Sequence, residues 1–213
     1  MATYQAVAAV TAVLVHLISE EVAGLELGNY NVAAKPPKDT RNDTDADKTA
    51  VHVYLYRVTE NAVWRNDDLP LRSQSGSLLQ RPRLALNLHY LISCYGKDAD
   101  YVPPKLLGAI ASLFQRKPIL TTDLLTEAGR KDDDLQKMLD AARLIAEVEK
   151  VKLSLTTLDI EELSKLWSVL LQVPYALSLT YEASVVFIEP DVEPVAAQPV
   201  QTRRIDVQAG GAP

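Results

Sequence analysis

Across residues 5–21 the apolar side chains Ala6, Val7, Val10, Val13, Leu14, Leu17 and Ile18 recur at spacings of three and four. That period predicts an amphipathic first helix with a broad buried face. Further along the period becomes two. Val51, Val53 and Leu55 alternate with His52, Tyr54, Tyr56 and Val58, which predicts a strand over residues 50–58. Leu84, Leu86, Leu88, Tyr90 and Ile92 alternate with Ala85, Asn87, His89, Leu91 and Ser93 in a second, longer strand bounded by Pro82 and Gly96. Val151, Leu153 and Leu155 begin a short third strand, and YALSLTYEASVVFI, residues 175–188, supplies the last.

Helical spacing returns between these strands. Pro103 and Pro104 suit the first turn of a helix that buries Leu106, Leu107, Ile110, Leu113 and Phe114 and stops at Pro118. A short helix is expected from Thr121 or Thr122. Another is expected from Asp132, Asp133 and Asp134, burying Leu135, Met138, Leu139, Ala142, Ile145 and Val148. Asp159, with Glu162 three residues on, forms a capping-box pattern for a helix that turns Ile160, Leu163, Leu166, Trp167 and Leu170 inward. Residues 30–33 are a short apolar piece, and residues 35–48, with almost no apolar side chains, read as an exposed loop. The fold class expected is therefore α+β, a single domain over residues 1–188 whose mixed, largely antiparallel sheet is flanked by helices. Residues 189–213, with spaced prolines and a Gly-rich end, are expected to be a flexible tail.

Composition narrows the possible partners. The chain has 213 residues, 47% of them hydrophobic, enough for one sizeable core. Its 28 acidic and 22 basic side chains leave a net charge of −6, so nothing in the charge favours nucleic acid or an anionic membrane. The apolar start carries no Lys or Arg and meets Glu20 and Glu21, which is unlike a signal peptide and too short to span a bilayer. Synthesis in the cytoplasm without a signal peptide and no membrane insertion are expected. The single cysteine, Cys94, excludes an intrachain disulfide.

Candidate chemistry is sparse. There is no Gly-rich phosphate loop, and His16, His52 and His89 fall in three separate elements without zinc-site spacing. Cys94 at a strand end reads as a small buried side chain. Asp132, Asp133 and Asp134 read as a solvated helix start, and Asp39, Asp43, Asp45 and Asp47 lack the glycine and distal glutamate of a calcium loop. Asn42-Asp43-Thr44 matches a glycosylation site, which carries little without a secretory signal. No catalytic residue, metal or cofactor is expected. For a small enzyme, the least poor candidates are His52, His89 and Asp67.

One segment concentrates charge around an aromatic residue, with Trp64 next to Arg65, Asn66, Asp67 and Asp68. The stretch VYLYRVTENAVWRNDDLPLR, followed by RPRLALNLHYLISCYGKDA, resembles the N-terminal domain of cap, or tail-terminator, proteins of contractile injection systems of the virulence-cassette and antifeeding-prophage kind, relatives of contractile phage tails. The likeness runs over residues 6–122 and returns in the LSKLWSVLLQVPYALSLTYEASVVFIE ending, residues 163–189. Longer members of that family carry further material after this domain.

The resemblance implies a structural protein with a tail-terminator-like fold and no enzymatic activity. It would assemble as a homohexameric ring on the distal end of the inner tube and sheath of a phage tail-like particle, extracellular or cell-anchored. Its partners would be itself, the sheath protein and the inner tube protein, with the last sheath layer completed by strand addition. Arg65, Asp67 and Asp68 pair either between ring neighbours or within one subunit. Arg72, Arg81 and Arg83 are expected to pair internally or face water. Trp64 is expected to anchor the loop by packing, and Tyr54 and Tyr56 to contact either a helix of the same subunit or a neighbouring subunit. An adaptor that binds a peptide along a sheet edge is the alternative, and differs mainly in stoichiometry.

Overall fold

In the computed structural model, residues 4–37, 48–64, 83–147, 149–170 and 173–189 are described. The first helix, α1 (Ala6–Ala23), leads into β1 (Tyr30–Ala33), β2 (Thr49–Glu60) and β3 (Leu84–Tyr95). Then come α2 (Val102–Arg116), α3 (Thr122–Lys131), α4 (Asp133–Ala142), β4 (Lys152–Thr156), α5 (Ile160–Val169) and β5 (Ser178–Ile188). The strands form one sheet in the order β1-β2-β3-β5-β4. β1 runs parallel to β2, and the other three pairs are antiparallel. The expected α+β fold with a mixed, largely antiparallel sheet is what forms.

Local chemistry explains most of the boundaries. Pro103 and Pro104 sit in the first turn of α2, where their missing N–H groups cost nothing. Thr121 caps α3 by accepting from the Leu124 N–H, and Asp132 caps α4 by accepting from the N–H groups of Asp134 and Leu135. Asp159 and Glu162 form the reciprocal capping box of α5. Gly96 ends β3 at a φ of 153°, and a Cβ there would collide with the Val102 side chain.

The main core lies on one face of the sheet. Val51 and Val53 of β2, Leu86, Leu88, Tyr90, Ile92 and Cys94 of β3, and Tyr181, Ala183 and Val186 of β5 meet α1 to α4 there. α1 contributes eight buried residues, from Ala6 to Val22. With 18 residues and a mean hydropathy of 1.7, α1 is by length and composition long enough to cross a bilayer, contrary to the shorter run read from the sequence. In this fold its apolar stripe faces the sheet. The Tyr90 hydroxyl, 2.8 Å from Thr11 Oγ1, ties the buried centre of β3 to α1, and Phe114 meets Tyr181 edge-on at 4.9 Å.

Three features differ from the sequence reading. The apolar piece at residues 30–33 is a strand, paired in register from Tyr30–Thr49 to Ala33–His52. Four residues are too few to show a period, and their pairing is set by a partner beyond residues 38–47. α4 ends at Ala142 because Arg143 takes a left-handed conformation at φ 54°. Leu144 is still buried just after that turn, while Val148 lies outside the described residues. Finally, α5 fully buries only Trp167. Leu163, Leu166 and Leu170 are half-buried, and Ile160 is 88% exposed. A capping box fixes where a helix starts whether or not a surface meets its apolar stripe, so periodicity overstated this burial.

Candidate functional site

The opposite face of the sheet is where the polar and aromatic residues collect. Alternation along β2 puts His52, Tyr54 and Tyr56 there, together with Asn87, His89, Leu91 and Ser93 of β3 and Thr180 and Glu182 of β5. Between Leu55 and Arg57 the register with β3 shifts, leaving Tyr56 as the extra residue of a bulge. Its half-buried ring lies 6.2 Å from the His89 ring. Burial raises the Tyr56 pKa, Arg57 opposes this, and the carboxylates of Glu162 and Glu182 add to it. Tyr56 thus has neighbours within its own subunit, and Tyr54 beside it is half-buried opposite Leu91.

His89 is held from two sides. Its Nε2 lies 2.9 Å from Thr59 Oγ1 and its Nδ1 3.6 Å from Glu182 Oε2. Desolvation depresses its pKa from 6.5, and the Glu182 carboxylate only partly offsets that. His52 Nδ1 pairs with the Pro36 carbonyl at 2.9 Å, and its ring tilts against Tyr95 at 5.1 Å. His52 faces Ser93, four residues along β3 from His89, a separation of roughly 13 Å at strand rise. The two histidines therefore do not converge, and Asp67 lies outside the described residues. Burial pushes the Cys94 thiol up to about 12, far from a reactive thiolate at neutral pH. Among the described residues, no three His, Cys, Asp or Glu side chains gather to hold a metal ion. What this face offers is shape, hydrogen bonding and aromatic surface.

At the far end of β3 and β5, the chain on both sides of residues 65–82 is fixed to the same aromatic ring. Asn61, buried at the end of β2, donates through Nδ2 to Asn87 Oδ1 at 2.8 Å and to Ser184 Oγ at 3.1 Å. Its Oδ1 accepts from the N–H groups of Val63 and Trp64, a side-chain turn that fixes the chain as it leaves the strand. Trp64 then meets Phe187 edge-on at 5.3 Å and packs with Ala85 and Val185. Where the chain returns, the Arg83 guanidinium sits 5.4 Å from the centre of the Phe187 ring. Arg83 also pairs with Glu189 at 2.7 Å and Glu147 at 3.4 Å.

Trp64 is thus the packing anchor expected, and Arg83 pairs within the subunit. Arg65, Asp67, Asp68, Arg72 and Arg81 lie outside the described residues. Sequence reading missed Asn61, Ser184 and Phe187. An asparagine just after an alternating run and three residues before Trp64 was the available signal for Asn61. Nothing local marks Phe187 as the residue that meets both Trp64 and Arg83.

Comparison with known proteins places this architecture. No curated protein matches the chain. The cryo-EM structure of the PVC sheath/tube terminator of an extracellular contractile injection system, in its extended state, superposes with a TM-score of 0.51 at 14% identity. The match covers 92% of this chain and 62% of the terminator chain. The tube-terminating cap of the anti-feeding prophage gives a TM-score of 0.45 at 16% identity, over 82% of this chain and 55% of the cap. The chain thus spans less than two thirds of either structure, and the first likeness establishes the fold. The family model described as the Pvc16 N-terminal domain matches residues 9–202, a span that includes all five strands and α2 to α5. The chain belongs to the Pvc16 N-terminal domain family.

Proposed function

We propose that this protein is a structural terminator of a contractile injection system, a component of a phage tail-like particle that closes the inner tube and anchors the last sheath layer. Membership of the Pvc16 N-terminal domain family over residues 9–202 is the observation that carries this reading. The fold shared with the PVC sheath/tube terminator supports it. The proposed assembly is a homohexameric ring with sheath protein and inner tube protein as partners, and its work is mechanical rather than enzymatic. Tyr54 and Tyr56 on the polar sheet face, and Arg65, Asp67 and Asp68 beyond the Trp64 anchor, are the proposed contacts between subunits or with sheath.

Strand addition needs an edge with free main-chain groups. β1 is such an edge. Among the described residues, no backbone hydrogen bond falls on the side of β1 away from β2. The first part of β4, at the other edge, is occupied, because Leu153 donates to the Pro118 carbonyl and Leu120 to the Val151 carbonyl. A sheath strand completing its layer would therefore join beside Tyr30–Ala33. The same open edge supports a second reading, a monomeric adaptor that receives a peptide strand. Native mass measurement of the purified protein, alone and with tube and sheath proteins, separates the two. Six copies in one complex are expected, and a strictly monomeric protein that ignores both partners overturns the terminator.

A further inference from the structure

Where β4 leaves the sheet, an apolar groove opens between that strand, the start of α5 and the approach to β5. Leu155, Leu158, Leu163, Tyr175 and Leu179 line it, together with Thr156. Its volume is about 240 Å³, and a cavity of roughly 150 Å³ already holds a benzene ring, so one large apolar side chain fits. Leu155 is 58% exposed and Tyr175 60% exposed, although Leu153 and Tyr181, beside Leu155 on the same face, belong to the main core. The main chain is open at the same place. Leu153 turns its N–H away from β5 to the Pro118 carbonyl, so two residues on, Leu155 turns both its N–H and its C=O outward. Residues 118–120 cover the first part of this edge, and among the described residues no main-chain group outside the sheet bonds Leu155. The buried Thr156 Oγ1 likewise has no hydrogen-bond partner among the described residues. The start of α5 borders the groove with Asp159, Glu161 and Glu162, against Lys165, which pairs with Glu161. Lys152, the cation of the strand itself, lies at its covered end across from Ile119.

We propose that this groove and the adjoining main chain of Leu155 form a second strand-acceptor site, at the edge of the sheet opposite β1, for an extended basic segment of another protein. Each observation sets one part of the occupant's chemistry. The outward N–H and C=O of Leu155 call for a partner whose own backbone is extended. The groove calls for one large apolar side chain as an anchor, and a polar group beside that anchor satisfies Thr156 Oγ1. The acidic start of α5 favours Lys or Arg on either side of the anchor. Because residues 118–120 stop the added strand short of Leu153, pairing is confined to the last part of β4. The anchor therefore contributes more to recognition than the backbone bonds do. This inference does not rest on the terminator reading, since it concerns binding by the purified protein alone.

Peptide binding to the full chain tests it. The probe is the fluorescein-labelled peptide Lys-Arg-Val-Phe-Val-Arg-Lys, and Glu-Glu-Val-Phe-Val-Glu-Glu is its control. Anisotropy titration should show the basic peptide binding several-fold more tightly than the acidic one. With a benzophenone photo-cross-linker in place of the phenylalanine, mass spectrometry should place the cross-links within residues 153–163 and 175–180, which surround the groove. Leu155→Glu and Tyr175→Ala each replace an exposed side chain, so both variants should unfold thermally much as the parent does and bind the basic peptide several-fold more weakly. Equal affinity for the two peptides, or no binding of either, would overturn the proposal. Cross-links confined to β1 or to any other surface would do the same, as would an affinity that neither substitution changes. If a second copy of the chain fills the groove instead, the basic peptide will fail to bind and Leu155→Glu will lower the native mass of the protein, a result that also overturns the proposal.

Discussion

On the helix side of the sheet, Val51, Val53, Leu88, Tyr90, Ile92 and Ala183 are buried beneath α1 to α4, and their one notable polar link is the hydroxyl pair of Tyr90 and Thr11. The other side carries His52, Tyr54, Tyr56, Asn87, His89, Thr180 and Glu182, joined by specific hydrogen bonds and ring contacts. The two faces share the same strands and differ only in which alternate residues they show. Apolar area supplies most folding free energy, so the helix face should govern stability. Directional contacts fix position, so the polar face should govern how the loop root and its surroundings are presented.

Substitutions can break this division, beginning where the effect is largest. Leu88→Ala, at a wholly buried position in the middle of β3, should lower the unfolding free energy by about 2–5 kcal/mol in urea titration. A loss below about 1 kcal/mol would mean that the helix face is not the main source of stability. On the polar face, Asn61→Ala leaves Asn87 and Ser184 without their shared donor and should cost about 1–3 kcal/mol. In a Trp167→Phe background it should also shift Trp64 emission to the red as that ring loosens from Phe187, whereas Leu88→Ala should leave the emission of the folded protein unchanged. Asp159→Ala removes the capping box of α5 and should cost about 1 kcal/mol. That loss should not change the urea response of the helix face beyond this amount.

The smallest expected effect depends on pH and belongs to the polar face alone. Burial holds the His89 pKa below its usual 6.5 in the folded chain, so the unfolded chain takes up the proton first. Stability is then full above about pH 6.5 and falls as the pH drops through the lower folded value. His89→Asn should flatten this part of the pH profile in thermal unfolding between pH 7 and pH 5. An unaltered profile would show that another group is responsible.

Much of this architecture can be read from periodicity. The alternations of β2 and β3 identify both strands and their core faces, and Asp132, Asp159 and the Pro103-Pro104 pair mark helix starts because capping chemistry is local. β1 cannot be read in this way, since four residues carry no period and its pairing partner lies beyond residues 38–47. The polar network is hidden for the same reason. Asn61, Asn87 and Ser184 are 26 and 97 residues apart along the chain, and only the sheet brings them together. Of the candidate contacts, Trp64 was legible as an anchor because an aromatic residue beside a charged run needs something to pack on. The partner it found, Phe187, came from a strand 123 residues away.

Tube length tests the central claim most directly. In cells producing a contractile injection particle together with this chain, particles should be purified with and without the chain and measured by electron microscopy. A terminator predicts a narrow length distribution and intact sheaths when it is present. Without it, tubes of uncontrolled length or with detached sheath should appear. Identical lengths and intact sheaths in its absence would contradict the assignment.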